Sequence, residues 1–290
     1  MKINCVADTK CVLGEGPVWD ERAQKLYWVD IKAPAVWRFD PKTGERENWP
    51  MPHRVGAVAL REQGDLVAAV KPGFAFIDLA ANKLELVAQP EAGTPGNRFN
   101  DGACDAKGRF WAGTMDDAET APSGHLYRLN ADRSVARFEA GFVITNGIRW
   151  SNDGTRMYFV DSAKRTILVY DFDLANGEPG ARRVFAQLGE ADGWPDGLCV
   201  DAEDHVWGAH WGAGRITRYR PDGTKERALE IPAPNVTSCS FGGAGLDTLY
   251  VTTARIGLDE AALQRAPLAG GVFAVTGLGV AGRRAFRFAG

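Results

Sequence analysis

Short apolar stretches alternate with polar turns along the whole chain, and no long stretch carries a convincing helical period. The recurring unit is an apolar strand, a turn rich in Asp, Gly or Asn, then a strand rich in aromatics. It reads "GPVWDERAQKLYWVD" from Gly16, "GAVALREQGDLVAAV" from Gly56 and "GACDAKGRFWAGT" from Gly102. It returns as "GIRWSNDGTRMYFVD" from Gly147, "GLCVDAEDHVWGAH" from Gly197 and, less cleanly, "CSFGGAGLDTLYVTT" from Cys239. The copies begin roughly 40–50 residues apart, the period of β-propeller blades. A third strand follows each copy, as in "AVWRFDPKTGE" and "ILVYDFDLANGE", and ends in a hairpin-type turn.

Six copies predict an all-β, six-bladed β-propeller over residues 1–290, read as a single domain because a blade cannot bury its faces alone. The two ends of the chain are expected to meet in one closing blade, with Lys2–Ala7 as its outer strand. Only "GLDEAALQRAP", residues 257–267, reads as a short helical turn. A doubly wound α/β fold would need alternating helices that the pattern lacks.

Aligning the copies on the glycine that opens the first strand brings one position into focus. The residue before it is Glu15, Val55, Asp101, Asn146 and Asp196 in five copies, and lies near Thr237 or Ser238 in the sixth. Inner strands line a propeller's channel, so equivalent positions form a ring around its axis. Glu15, Asp101, Asn146 and Asp196 thereby aim carboxylate or amide oxygens at one place. Crowded carboxylates repel each other and resist desolvation, and a cation relieves both. Oxygen ligands suit Ca²⁺, Mg²⁺ or Mn²⁺. Zinc more often recruits His or Cys, but a carboxylate-bound zinc stays open. The alternative is a solvated funnel of polar loop residues without a metal.

A net charge of −3 with no basic block argues against nucleic acid or an anionic membrane as partner. The start of the chain has no apolar signal core, and no apolar run approaches a spanning length, so the cytoplasm is the expected location. Five scattered cysteines without CxxC spacing read as buried reduced thiols, with Cys104 and Cys199 filling space between blades. No GxSxG elbow is present. His210 reads either as a packing residue or, with Trp194 and Trp211, as a pocket wall. His53 and Val55 are further positions where substrate choice is expected to be made.

In their order along the chain, "LGEGPVW" (13–19), "NRFNDG" (97–102), "FWAGTM" (110–115), "ETAP" (119–122), "TNGIRWS" (145–151), "PDGLCVDAE" (195–203), "TSCSFGG" (237–243), "LYVTTAR" (249–255) and "AGGVFAVTGLGVAG" (269–282) resemble the senescence marker protein / regucalcin / gluconolactonase family of sugar lactonases. The resemblance covers nearly the whole chain. It implies a propeller holding one divalent ion through Glu15, Asn146 and Asp196, with Arg98 and Asn100 on substrate hydroxyls. Glu119, before "TAP", matches a further substrate contact, although its spacing from "GTM" is one residue looser than in the animal members.

The implied reaction is hydrolysis of a sugar-acid lactone of the gluconolactone or xylonolactone kind, acting on a small molecule as a monomer. Asp196 is the candidate general base, valued for its placement beside the water. Asn100 and Asp101 are candidate readers of hydroxyl orientation. Two other readings remain at this point. One is an esterase or phosphotriesterase-like activity on the same metal. The other is a calcium-binding propeller without catalysis.

Overall fold

The computed structural model describes residues 1–290. Its strands form six four-stranded antiparallel sheets, the blades of a propeller, whose innermost strands touch in sequence around a closed ring. The innermost strands are Gly14–Asp20, Val55–Leu60, Asn97–Cys104, Thr145–Trp150, Trp194–Val200 and Asn235–Gly242. They are buried along almost their whole length, whereas outermost strands such as Arg46–Pro50 and Glu178–Gln187 are largely exposed. The sixth blade is completed by Lys2–Ala7, which pairs antiparallel with Val272–Thr276 as its outer strand. The one short helix, Glu260–Arg265, lies within the predicted segment and is capped by Asp259, which accepts from the Ala262 amide at 2.7 Å.

The core is divided among the gaps between blades, one apolar cluster to each gap. Cys104 and Cys199 lie in two of these clusters, and all five cysteines are free. Turn chemistry sets two of the large aromatics, Trp111 and Trp207, in place. In "DAKGRFW" and "DAEDHVW" the opening aspartate accepts backbone amides two and four residues on. Its other oxygen takes the indole N–H six residues on: Trp111 to Asp105 at 2.9 Å, Trp207 to Asp201 at 2.8 Å. A buried carboxylate with several donors is well satisfied and fixes the tryptophan that fills the gap.

Every innermost strand breaks register with its neighbour at one place. The breaks fall between Glu15 and Val18, Val55 and Ala57, Phe99 and Asp101, Asn146 and Arg149, Pro195 and Leu198, and Val236 and Ser238. Bulges of this kind re-aim side chains. Gly16 and Gly147 follow Glu15 and Asn146 and both adopt φ +52°, a conformation that favours glycine. At Gly147 a Cβ would also come within 2.6 Å of Leu198 and Val160 side-chain atoms.

After the last strand, residues 278–290 cross the end of the channel as a strap that the repeat pattern does not announce. The strap touches every blade. Gly282 N–H donates to Leu246 O at 2.7 Å, and Ala281 O accepts from Ala202 N–H at 2.9 Å. Arg283 donates to Ser151 O at 3.1 Å, and Arg287 pairs with Asp20. Phe288 N–H donates to Leu60 O at 2.8 Å, and Ala289 N–H to Gly108 O at 2.9 Å. Phe288 is fully buried in the gap between the second and third blades. No helix is long and apolar enough to cross a membrane.

Candidate metal and substrate site

The other end of the channel opens into a cavity of about 440 Å³, within the range of small-molecule sites. Glu15, Arg98, Asn100, Glu119, Asn146 and Asp196 all line it. A smaller hollow of about 90 Å³ lies at the far end of the inner strands, beneath the strap.

The residues at the cavity floor are buried and held from blade to blade. Asn100 donates to Thr145 O at 2.7 Å and to Asn146 Oδ1 at 2.9 Å, and accepts from Arg98 Nη1 at 2.5 Å. Asn146 donates in turn to Ser162 Oγ at 3.0 Å, and Ser162 donates to Pro195 O at 2.7 Å, next to Asp196. One Glu15 oxygen accepts the Gly16 amide at 2.9 Å. Arg98, only 2% exposed, also donates to Asp117 at 3.1 Å and lies 4.0 Å from Glu119. Glu119 stands at the rim, on a turn where its own φ is +62°.

Asp101 behaves differently. Its two oxygens accept the amides of Gly102 at 2.6 Å and Gly147 at 2.7 Å, which ties the third blade to the fourth. The residue that this blade turns toward the cavity is Asn100, at the bulge. Val55 does not line the cavity; it is fully buried in the apolar gap between the first two blades. In the sixth blade Thr237 donates to Gly14 O at 2.5 Å and so closes the ring to the first blade.

Trp194 and Trp211 form part of the wall, and Trp194 is 42% exposed with Arg165 stacked 4.2 Å from its ring centre. His210 does not line the cavity. It is buried, with Nδ1 2.8 Å from Asp192 O and Nε2 3.3 Å from Tyr219 Oη, and burial lowers its pKa to about 4. His53 also lies outside the wall. Sequence reasoning missed Lys32, Met115, Ile144 and Asp117, which come from loops and strand ends with no repeat signal.

Two observations bear on whether these residues fit a divalent ion. Asp196 Oδ1 is buried without a hydrogen-bond partner, an arrangement that costs free energy unless something charged or polar meets it. In addition, burial raises the pKa of both Glu15 and Asp196. The Asp101 charge adds to the effect on Glu15, and the Glu15 and Asp101 charges to that on Asp196. No group of three or more His, Cys, Asp or Glu residues is placed to hold a metal. The donors here are instead two carboxylates with the amide oxygen of Asn146, a hard-oxygen set that fits calcium or magnesium chemistry.

These shifts predict a pH dependence. A carboxyl whose folded-state pKa is raised contributes stability that is fully present below its unfolded value, near 4. That stability is lost as pH rises through the folded value. Buried His210, its pKa held low, gives the opposite slope below about pH 6.5. The window that isolates the carboxyls therefore lies above it. In chelator, the thermal midpoint is expected to fall by roughly 3 °C or more from about pH 6.5 to about pH 8, at about 2–4 °C per kcal/mol. Excess Ca²⁺ should remove most of that fall, and Glu15→Gln should flatten it. A midpoint in chelator that holds level or climbs over this range, in the parent and the variant alike, contradicts the charge crowding.

Residues 13–255 match the family pattern described as "SMP-30/Gluconolactonase/LRE-like region". The chain is similar to regucalcin of Homo sapiens, at 38% identity over 297 residues, covering 100% of this chain and 99% of that protein. Among solved structures it is similar to a calcium-binding protein, regucalcin, from Agrobacterium tumefaciens. There the identity is 32% and the TM-score 0.94, covering 98% of this chain and 96% of that one. A gluconolactonase from Xanthomonas campestris superposes with a TM-score of 0.76 at 21% identity, over 94% of this chain and 88% of that one, and shares the fold.

Proposed function

The chain belongs to the SMP-30/gluconolactonase/LRE-like family, a group of lactonase-type and calcium-binding propellers, and on that premise we propose that it hydrolyses sugar-acid lactones with the help of a divalent ion. The observation that carries this reading is the cavity floor. Two buried carboxylates with raised pKa, one with an oxygen lacking any partner, face a space large enough for a sugar ring. Its wall carries Arg98, a donor, and Asn100, whose amide hydrogens are both engaged and whose oxygen is an acceptor, a pair suited to a polyol. The product is an aldonic acid of the gluconate or xylonate kind.

Glu15, Asn146 and Asp196 would hold a divalent ion, which would supply Lewis acidity toward an ester carbonyl and stabilise the charge that develops on its oxygen. The protein's own groups do the rest. Asp196 positions the attacking water and receives its proton as the water adds to the carbonyl. It then returns that proton to the ring oxygen as the acyl C–O bond breaks and the hydroxy acid is released. Asn100, braced between Arg98 and Asn146, fixes the orientation of a ring hydroxyl. Arg98 is held by Asp117 and Asn100, so its remaining donor capacity is directed without a search among rotamers. Asp101 holds the Gly147 amide and thereby the backbone that presents Asn146. Trp194 and Trp211 offer apolar faces to the sugar ring.

The test is proton release on a panel of aldonolactones with metal-stripped protein, with and without Ca²⁺, Mg²⁺, Mn²⁺ or Zn²⁺. Turnover restored by one of these ions is the expected result. Spontaneous hydrolysis alone on every lactone, with metal binding demonstrated by calorimetry, would sink the reading and leave a calcium-binding propeller.

A further inference from the structure

On one side of the cavity, four cations converge on a single carboxylate. Asp117 Oδ1 lies 3.4 Å from Lys32 Nζ and 3.1 Å from Arg98 Nε; Asp117 Oδ2 lies 3.1 Å from Lys71 Nζ and also pairs with Arg54. The cations come from three blades. Lys32 follows the strand Lys25–Asp30, Arg54 precedes Val55–Leu60, Lys71 follows Leu66–Val70, and Arg98 belongs to the third blade. Glu119, beside Arg98, adds one more carboxylate. Within ion-pair distance the cluster thus sets four cations against two carboxylates, with the Glu15 charge acting on Arg98 from farther off.

A hub that served only to fasten loops would balance its charges, because surplus cations in a partly buried place repel one another. This one is kept unbalanced at a cavity wall. Lys32 and Arg98 line the cavity directly, and the Lys71 and Arg54 side chains retain 39% and 34% exposure. A neutral polyol needs hydroxyl partners, which Arg98 and Asn100 already give. Two or more ammonium and guanidinium groups around one carboxylate are suited to a second anion, held by charge-assisted hydrogen bonds.

We propose that the preferred substrates are sugar-acid lactones bearing a second acidic group, carboxylate or phosphate, which docks among Lys32, Arg54 and Lys71 while the ester faces Asp196. This rests on the lactonase reading above and names its substrate class. It also gives the wall a function in the approach of substrate, since a local positive field raises the encounter rate of anions at low ionic strength.

The experiment compares matched pairs. Glucaro-1,4-lactone is set against glucono-1,4-lactone, and 6-phosphoglucono-δ-lactone against glucono-δ-lactone, at low and high salt. The proteins are the parent, Lys32→Gln and Lys71→Gln, each checked for an unchanged fold by circular dichroism. The expected result is a kcat/KM at least tenfold higher for one acidic lactone than for its neutral partner. That ratio should drop about tenfold in either variant and shrink in salt, and the pair that responds tells carboxylate from phosphate. Equal or lower kcat/KM on both acidic lactones overturns the inference, as does a ratio that both variants leave untouched. If no lactone is turned over, the lactonase reading fails by itself. The anion site is then judged by calorimetry on metal-loaded protein, where glucarate or 6-phosphogluconate should bind tenfold tighter than gluconate, and equal affinities overturn it.

Discussion

Asp196→Ala is expected to lose about three orders of magnitude in kcat/KM on any lactone the protein hydrolyses, within the span of general-base effects. By the usual conversion that is about 4 kcal/mol of transition-state stabilisation. The loss is large because one side chain is asked to do two things, hold the ion and direct the water. Asp196→Asn separates them. It keeps an oxygen for the ion and removes the base, so metal binding should weaken while activity stays lost. Stability should move the other way. In chelator, neither variant should melt below the parent, since burial and the Glu15 and Asp101 charges all disfavour the Asp196 carboxylate. A variant that keeps more than a tenth of kcat/KM would remove Asp196 from the mechanism.

Deleting residues 282–290 is expected to destabilise the protein by about 5 kcal/mol or more in urea unfolding. Phe288→Ala alone should cost about 3–5 kcal/mol, the usual range for truncating a buried aromatic. Phe288 is wholly enclosed by the second and third blades, 5.9 Å from the Phe76 ring centre. The deletion adds the loss of the Arg287 pair with Asp20 and of the Arg283 bonds to Trp150 and Ser151 carbonyls. It also leaves those buried partners unmet. An unfolding midpoint within experimental error of the parent would mean that the strap merely lies on the surface.

The architecture was legible because its signal is redundant. Six copies of a strand–turn–strand pattern outvote any one imperfect copy, and Lys2–Ala7 occupies the outer edge of the sixth sheet as the pattern requires. The ring of inward positions was legible only to within one residue. Counting back from a glycine ignores the bulges, and a slip of one residue turns a strand's side chain to the other face. In the second blade Val55 pairs with Val70 and faces the apolar gap. In the third, the bulge puts Asn100 toward the cavity while Asp101 grips amides of its own and the next blade. His210 carries no mark in the sequence that tells a wall from a packed interior; the Asp192 carbonyl and Tyr219 hydroxyl decide it. The cluster around Asp117 was invisible for another reason. Its cations lie 19 to 85 positions away along the chain, at loop positions that no period links.

The pairing of Lys2 with Thr276 has a consequence for how the protein comes into being. The strand Lys2–Ala7 finds its place only in a sheet whose other strands are made much later. At about 5–20 residues per second, it waits roughly 15–55 s on the ribosome for its partner. Until then Val272–Thr276 has no neighbour on one side, and such an open edge invites pairing with another chain. Blades one to five can each form from contiguous sequence, but closure is a long-range event and so a slow one. The nascent protein's most vulnerable interval should therefore be the short time after its last blade emerges and before its first strand is captured.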